Sequence, residues 1–344
     1  MELPERIRDA AHLDDLLSEP SAAAVDAIRA AGGDILVLGA GGKMGPTLAR
    51  MARRAMDAAG LRFRTIAVAR FSSLQLRHTL EAQGVETIPC DLLDEKAVAA
   101  LPDAPNVIFM AGRKFGSTGD EPLTWAMNTH VPAIVCRRFR ESRVVAFSTG
   151  NVYGLIPRGR GGSREEDVPA PIGEYAMSCL GRERMFQYFS GRSGTRVAIL
   201  RLNYAVEMRY GVLVDLAQRI AGGEPIDLAM GYVNVIWQGD ANAMALAALA
   251  HTASPALILN LAGPEELSVR SISEDLARLL GSTVSFAGTE MNDALLSNGT
   301  RGYEVCGKPR VGTARLLAWT ADWVQRGGES LGKRTHFESR AGRF

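Results

Sequence analysis

The sequence lacks the features that would mark a membrane, nucleic-acid-binding or disulfide-stabilised protein. In 344 residues no apolar run approaches the roughly 20 positions that a membrane span needs, and the N-terminal Met-Glu-Leu-Pro-Glu-Arg mixes charges where a secretory signal would be apolar. The 39 basic and 38 acidic residues leave a net charge of +1, which gives no case for nucleic acid or an anionic membrane as partner. The four cysteines are scattered, with no Cys-x-x-Cys pair, so neither a metal site nor a disulfide framework is expected. We expect a soluble, cytoplasmic protein that acts on a small molecule.

Strand-like and helix-like segments alternate through the first two thirds of the chain. Residues 5–31 have the pattern of one or two amphipathic helices, interrupted at Pro20. Apolar, β-branched segments then predict strands at 34–38, 64–69, 86–89, 106–111, 143–148 and 196–201. Helical spacing separates these strands, including long segments at 125–140 and 175–190. This alternation predicts an α/β fold with a doubly wound parallel sheet.

A glycine loop follows the first predicted strand and leads into a helix. Gly39 permits a tight turn, Gly41 and Gly42 allow the backbone to approach phosphate, and Gly45 allows close packing of helix on strand. Lys43 and Met44 complete the loop, and the helix N-terminus supplies free N–H groups. The loop predicts a nicotinamide dinucleotide whose pyrophosphate lies over residues 39–45.

Two later positions bear on which dinucleotide is bound. A carboxylate for the ribose 2′-hydroxyl of NAD is usual after the second strand, but this chain has Arg70. A guanidinium there suits the 2′-phosphate of NADP, although a surface arginine is the alternative. Asp91, after the third strand, suits the adenine edge or simply caps a helix. The cofactor is thus NADP or NAD, with a lean to NADP.

Several segments together resemble the extended short-chain dehydrogenase/reductase superfamily, in its NAD-dependent epimerase/dehydratase family. They are Gly-x-x-Gly-x-x-Gly at 39–45, Cys90-Asp-Leu92, Val107-Ile-Phe-Met-Ala-Gly112, Asn128, Phe147-Ser-Thr-Gly-Asn-Val-Tyr-Gly154, Tyr175-Ala-Met-Ser-Cys179, Leu200-Arg-Leu-Asn203 and Leu317-Ala-Trp319. The resemblance implies a Rossmann-type domain over 34–202 with a return around 233–262. Residues 1–33 would form an N-terminal helical extension, and 203–232 with 263–344 a substrate-binding lobe. It also implies cofactor contacts from a further set of residues: Leu92, Met110, Ala111, Gly112, Asn128, Ser148 and Tyr175.

The resemblance implies a tyrosine acid/base at Tyr175, assisted by Thr149, which would bond the reacting oxygen. The family's motif is Tyr-x-x-x-Lys, but Cys179 stands where the lysine should be. A thiol cannot supply the positive charge that favours ionised tyrosine. Cys179 could fill space in an inactive relative, act as a thiol on substrate, or be compensated by another cation. Lys114 is the preferred cation, because it lies just beyond the fourth strand at the carboxyl edge where ligands bind in such sheets, although a solvated loop charge is the alternative. Arg182 ranks lower, since two helical turns from Tyr175 are too far for direct contact.

The remaining expectations concern substrate and assembly. A sugar or sugar derivative would be bound by residues that follow strands or belong to polar and aromatic clusters: Asn151, Tyr153, Asn203, Glu207, Arg209 and Trp237. The predicted function is an NAD(P)-dependent oxidoreductase, epimerase or dehydratase, expected by resemblance to be a homodimer. The alternative is a dinucleotide-binding sensor or scaffold without turnover.

Overall fold

The computed structural model describes residues 3–342; residues 1, 2, 343 and 344, at the ends of the predicted extension and lobe, lie outside the described residues. The chain begins with two short helices, α1 (Ala10–Leu17) and α2 (Ala22–Ala31). Side chains cap both N-termini, with Asp9 accepting from the His12 N–H and Ser21 from the Ala24 N–H. The predicted break at Pro20 is confirmed.

Seven parallel strands form the central sheet. They are β1 (Ile35–Leu38), β2 (Thr65–Ala69), β3 (Glu86–Pro89), β4 (Asn106–Phe109), β5 (Arg143–Thr149), β6 (Arg196–Leu202) and β7 (Leu257–Leu261). Their order across the sheet is β7-β6-β5-β4-β1-β2-β3. The order reverses on either side of β1, so a crevice opens between the carboxyl ends of β1 and β4, where ligands bind in such sheets. This doubly wound architecture confirms the predicted fold class; β7 was not among the predicted strands.

Helices cover both faces of the sheet and build a second lobe. They are α3 (Gly45–Ala58), α4 (Leu74–Ala82), α5 (Glu95–Ala99), α6 (Glu121–Trp125), α7 (Val131–Arg138), α8 (Gly173–Ser193), α9 (Val212–Ala221), α10 (Gln238–Ala247), α11 (Val269–Leu280), α12 (Thr300–Cys306) and α13 (Thr313–Gln325). Single 3₁₀ turns lie at Gly150–Val152 and Ala248–His251. None of the helices in residues 3–342 combines the length and the apolar composition that a membrane span requires.

The helix predicted over 125–140 is not one regular helix. It begins earlier, as α6, and passes through a π-helical turn, Ala126–His130, into α7. Pro132 lies in the first turn of α7, and proline has no N–H with which to bond the carbonyl four residues before it. The carbonyl of Asn128 is therefore left available for another donor.

Apolar side chains form a core on each face of the sheet and a third core in the C-terminal lobe. The third core brings Leu13 and Leu17 of α1 together with Trp237 and Trp319. Four pairs of two-residue strands connect this lobe: Ile156–Pro157 with Asp293–Ala294, Ala205–Val206 with Ile236–Trp237, Ile226–Asp227 with Phe286–Ala287, and Tyr232–Val233 with Leu267–Ser268. After α13 the chain runs back across the lobe towards the carboxyl edge of the sheet.

Candidate active site

The glycine loop joins β1 to α3 at the crevice. Gly39 has φ +86°, and a Cβ there would lie 2.6 Å from the backbone nitrogen of Ala111 at the end of β4. A Cβ at Gly45 would lie 2.5 Å from the carbonyl oxygen of Ala40. Gly41 and Gly42 are exposed, and no side chain within residues 3–342 caps the N-terminus of α3 at Met44. The loop therefore presents accessible backbone and uncapped N–H groups, which fit a pyrophosphate.

Lys43 extends from this loop into an aromatic enclosure. Its Nζ lies 3.0 Å from the ring centre of Tyr210 and 4.2 Å from that of Phe115. The ammonium is buried and has no hydrogen-bond partner in the part of the chain that the structure describes. Burial lowers the pKa of Lys43 to about 7, and the charges of Lys114 and Lys333 add to this effect. An anion at the loop would supply the counter-charge that Lys43 lacks.

The residues predicted for the adenosine half lie along the carboxyl ends of β2, β3 and β4. Arg70 is exposed just beyond β2, and within residues 3–342 it makes no hydrogen bond or ion pair. The carboxylate of Asp91 accepts from the N–H of Leu93 at 3.1 Å, so it stabilises a turn, while Leu92 is buried beneath. Met110 donates its N–H to the carbonyl of Leu38 at 2.8 Å, which aligns the ends of β4 and β1.

The amide of Asn128 is fully occupied by protein groups. Its oxygen accepts from the N–H of Arg113 at 2.8 Å, and its nitrogen donates to the carbonyl of Arg113 and to Ser178 Oγ, each at 2.9 Å. These bonds attach the loop after β4 to helix α8. Asn128 therefore fixes the position of Gly112 and Lys114 at the crevice.

Thr149, Tyr175 and Cys179 are brought together where β5 ends and α8 begins. The side chain of Tyr175 interacts with Thr149 and also with Cys179, one helical turn along. Burial raises the pKa of both Tyr175 and Cys179 above their ordinary values. Cys179 is fully buried, so at neutral pH it is an uncharged thiol and adds no positive charge beside the tyrosine.

A buried ion pair holds the strand ends behind this cluster. Arg201 Nη2 lies 2.8 Å from Glu183 Oε2, with side chains only 2% and 0% exposed. Ser148 Oγ donates to Glu183 Oε1 at 2.6 Å, and Arg201 Nη1 donates to the hydroxyl of Tyr153 at 2.7 Å. The hydrogen of the Ser148 hydroxyl is therefore used in the bond to the Glu183 carboxylate. Sequence reasoning missed this network because no local pattern connects its members.

Lys114 lies on the open side of Tyr175, beneath a segment that returns from the C-terminal lobe. Its Nζ is 5.9 Å from the centre of the Tyr175 ring and donates to the carbonyl of Thr335 at 3.3 Å. Burial lowers the pKa of Lys114 to about 8, although the nearby charge of Asp215 opposes the change. We call residues 331–342 the C-terminal strap. The N–H and hydroxyl of Thr335 fasten it to Asp215 Oδ2, at 2.7 and 2.6 Å.

The strap closes a small cavity at the site. Its volume is about 30 Å³, room for one or two waters. The sheet side contributes Lys114, Asn151, Tyr153 and Tyr204, and the strap contributes His336, Phe337, Ser339 and Arg340. Of the predicted substrate residues, Asn151 and Tyr153 line this cavity. The strap residues were missed because nothing in their local sequence indicates that they reach the sheet edge.

The other predicted substrate residues do not line the cavity. Asn203 donates to Asn234 Oδ1 at 2.7 Å. The carboxylate of Glu207 accepts hydrogen bonds from the backbone N–H and the side-chain Nε of Arg209. Trp237 is 1% exposed and packs edge-on against Trp319, with ring centres 5.5 Å apart. The structure thus places Trp237 in the core of the lobe.

Comparisons with known proteins identify the class of protein. The model of the NAD dependent epimerase/dehydratase family matches residues 35–230, more than half of the chain. The chain belongs to this family, as its motifs predicted. Among curated protein sequences, none matches it significantly.

Solved structures share the fold at low sequence identity. UDP-glucose 4-epimerase from Thermotoga maritima, crystallised with UDP-glucose, superposes with a TM-score of 0.72 at 17% identity, covering 86% of this chain and 99% of that one. UDP-glucuronic acid 4-epimerase from Bacillus cereus, with a fluorinated UDP-sugar and NAD, gives 0.69 at 17%, covering 85% and 99%. dTDP-glucose 4,6-dehydratase from Bacillus anthracis, with NAD, gives 0.71 at 15%, covering 86% and 97%.

Proposed function

We propose that this chain is an NAD(P)-dependent epimerase, dehydratase or dehydrogenase that acts on a sugar derivative. The observation that carries the proposal is the interacting pair of Thr149 and Tyr175, at the end of β5 and the start of α8, on the same sheet edge as the glycine loop. Family membership supports it, as do similar structures crystallised with NAD and with UDP-sugars.

The cofactor would be held by the glycine loop and by two cations near it. Residues 39–45 and the N-terminus of α3 would bind the pyrophosphate, with the Lys43 ammonium beside it. Arg70 would bind the 2′-phosphate of NADP, which is the basis of a lean towards that cofactor. When bound, the nicotinamide would accept and return a hydride.

The protein's own residues would transfer the proton of the reacting hydroxyl. Tyr175 would take the proton of the reacting hydroxyl, and Thr149 would hold that hydroxyl oxygen by a hydrogen bond. Lys114 would lie against the sugar oxygens on the open side, next to Asn151 and Tyr153. Cys179 fills the position of the family's lysine as a neutral thiol beside Tyr175.

The nucleotide content of the purified protein tests this function. We expect NADP or NAD on acid release and mass spectrometry, and reduced nicotinamide absorbance when sugars and sugar nucleotides are added. Arg70→Glu is the matched variant and should weaken NADP binding while sparing NAD. Failure to bind either dinucleotide would contradict the proposal. Bound dinucleotide without turnover on any sugar would instead support a dinucleotide-binding sensor or scaffold.

The affinity for NAD should fall as pH rises above about 7. The pKa of Lys43 is lowered to about 7 in the free protein, and a bound pyrophosphate stabilises the protonated form, so binding takes up a proton. The dissociation constant measured by calorimetry should therefore increase several-fold between roughly pH 7 and 9. NAD is the probe because the 2′-phosphate of NADP itself titrates near pH 6.

Lys43→Met should bind NAD more weakly and remove this pH dependence. Arg70→Ala is the matched control, since it also deletes a cation near the dinucleotide but leaves Lys43 in place. It should keep the pH dependence of the dissociation constant for NAD. If the dissociation constant for NAD depended on pH equally in Lys43→Met and in the parent, the proton taken up on binding would belong to another group.

A further inference from the structure

Among residues 3–342, Arg182 is a buried cation without a counter-ion. Its side chain is 6% exposed, and its Nη1 donates to the carbonyl of Phe147 at 2.8 Å. Nη2 donates to Asn128 Oδ1 at 2.7 Å, and Nε to the Asn128 carbonyl at 3.4 Å. These are all neutral oxygens, and within residues 3–342 no carboxylate forms an ion pair with Arg182; its neighbour Glu183 is bound to Arg201. A buried charge without a partner is costly, so its presence needs an explanation.

Three features, in two segments of the chain, accommodate this guanidinium. The missing N–H of Pro132 leaves the Asn128 carbonyl to accept from Arg182, within the π-helical turn. Gly112 leaves space above it, since a Cβ there would overlap Nη2. The ring of Phe109 lies beneath, 5.7 Å from the guanidinium carbon. Arg182 is therefore held in a prepared position at the crevice.

That position is close to the predicted acid/base. Arg182 follows Tyr175 by seven residues on α8, but helical side chains lean towards the N-terminus, which brings the guanidinium back towards Cys179 and Tyr175. Its anchor, the carbonyl of Phe147, is two residues before Thr149 on β5. The charge of Arg182 lowers the pKa of Tyr175 and opposes the larger effect of burial.

We propose that Arg182 is a positioning residue that supplies, from the interior side of α8, the positive charge that lysine supplies in the Tyr-x-x-x-Lys motif. The proposal rests on the proposed role of Tyr175 as acid/base. Within residues 3–342, the groups that interact with Tyr175 include Thr149 from β5, Cys179 and Arg182 from α8, and Lys114 from the loop after β4. Of these, Cys179 is an uncharged thiol. Burial lowers the pKa of Lys114 to about 8, whereas arginine stays charged throughout the working range.

The experiment measures the ionisation of residue 175 without cofactor or substrate. Difluorotyrosine is incorporated at position 175, because fluorine acidifies the phenol and brings its titration into the accessible pH range, and ¹⁹F NMR follows the midpoint. Arg182→Gln keeps hydrogen-bond donors but removes the charge, and we expect it to raise the midpoint by at least roughly one pH unit. Arg182→Lys keeps the charge and should titrate close to the parent.

A midpoint in Arg182→Gln equal to that of the parent would overturn the proposal. So would an equal or larger shift in Lys114→Met, which would assign the role to Lys114. If Arg182→Gln does not fold, Asn128→Asp keeps the arginine and places a carboxylate against Nη2; it should raise the midpoint, and an unchanged midpoint would count against Arg182. Lack of turnover in the parent would contradict the proposed function but leave this titration valid.

Discussion

Tyr175→Phe is expected to lower kcat by roughly 10²- to 10⁴-fold, the usual contribution of a positioned acid/base. The change removes only the hydroxyl that interacts with Thr149 and would carry the proton. Because burial raises the pKa of Tyr175 above its ordinary value, the ionised form increases with pH, and kcat of the parent should rise through the alkaline range. The variant should lose this rise. Steady-state kinetics across pH, with NAD binding measured by calorimetry, check both statements.

Tyr188→Phe is the matched control, since this tyrosine lies on the same helix α8 and is exposed. It should leave kcat and its pH profile unchanged. Unchanged turnover in Tyr175→Phe would end the tyrosine mechanism. Loss of NAD binding in the same variant would mean that the cofactor site has been disturbed, so the binding measurement separates the two effects.

Arg201→Met is expected to reduce the free energy of unfolding by about 3–5 kcal/mol. The variant removes the partner of Glu183 and leaves a carboxylate that is 0% exposed without its counter-ion. It also removes the hydrogen bond from Arg201 to the hydroxyl of Tyr153. Urea unfolding followed by circular dichroism would show a lower midpoint at an unchanged slope.

The double variant Glu183→Gln with Arg201→Met separates charge from packing. It has no buried charge left at this position, so it should be more stable than Arg201→Met alone. Arg196→Met, at the start of the same strand β6, removes an exposed arginine and should have a small effect. A double variant as unstable as the single one would show that lost packing, rather than the stranded carboxylate, causes the destabilisation.

Local patterns predicted most of the sheet. Six strands have apolar, β-branched segments bounded by turn residues, and each was predicted to within a few positions. β7 was missed because Asn260 interrupts its short apolar segment. In the structure the amide of Asn260 donates to the carbonyls of Ser163 and Asn298, so its polarity is satisfied by partners far along the chain. No local pattern could have indicated them.

The candidate site also contains some residues whose positions the sequence could predict and others whose positions it could not. Thr149 and Tyr175 could be predicted to meet because their motifs carry the local geometry of a strand end and a helix start. The lower rank of Arg182 in the sequence analysis relied on its spacing along the helix, which leaves out the lean and length of an arginine side chain, and the choice between Lys114 and Arg182 stays a prediction. Trp237 was predicted at the substrate because aromatic residues suit sugars, yet the same residue type also fills cores. Only the tertiary structure distinguishes the two uses.

The position of α1 has a consequence for how this chain folds. Leu13 and Leu17 belong to the core of the C-terminal lobe, and the indole of Trp319 donates to the carbonyl of Pro4 at 3.1 Å, a contact between residues 315 positions apart. Closing so long a loop costs conformational entropy before the contacts between its ends form and offset that cost. The lobe core can therefore form only after both distant segments are present, and folding should be slow for a chain of this size. Residues 35–230, the part that matches the family, should not fold as a separate fragment, because they lack β7 and both of these segments.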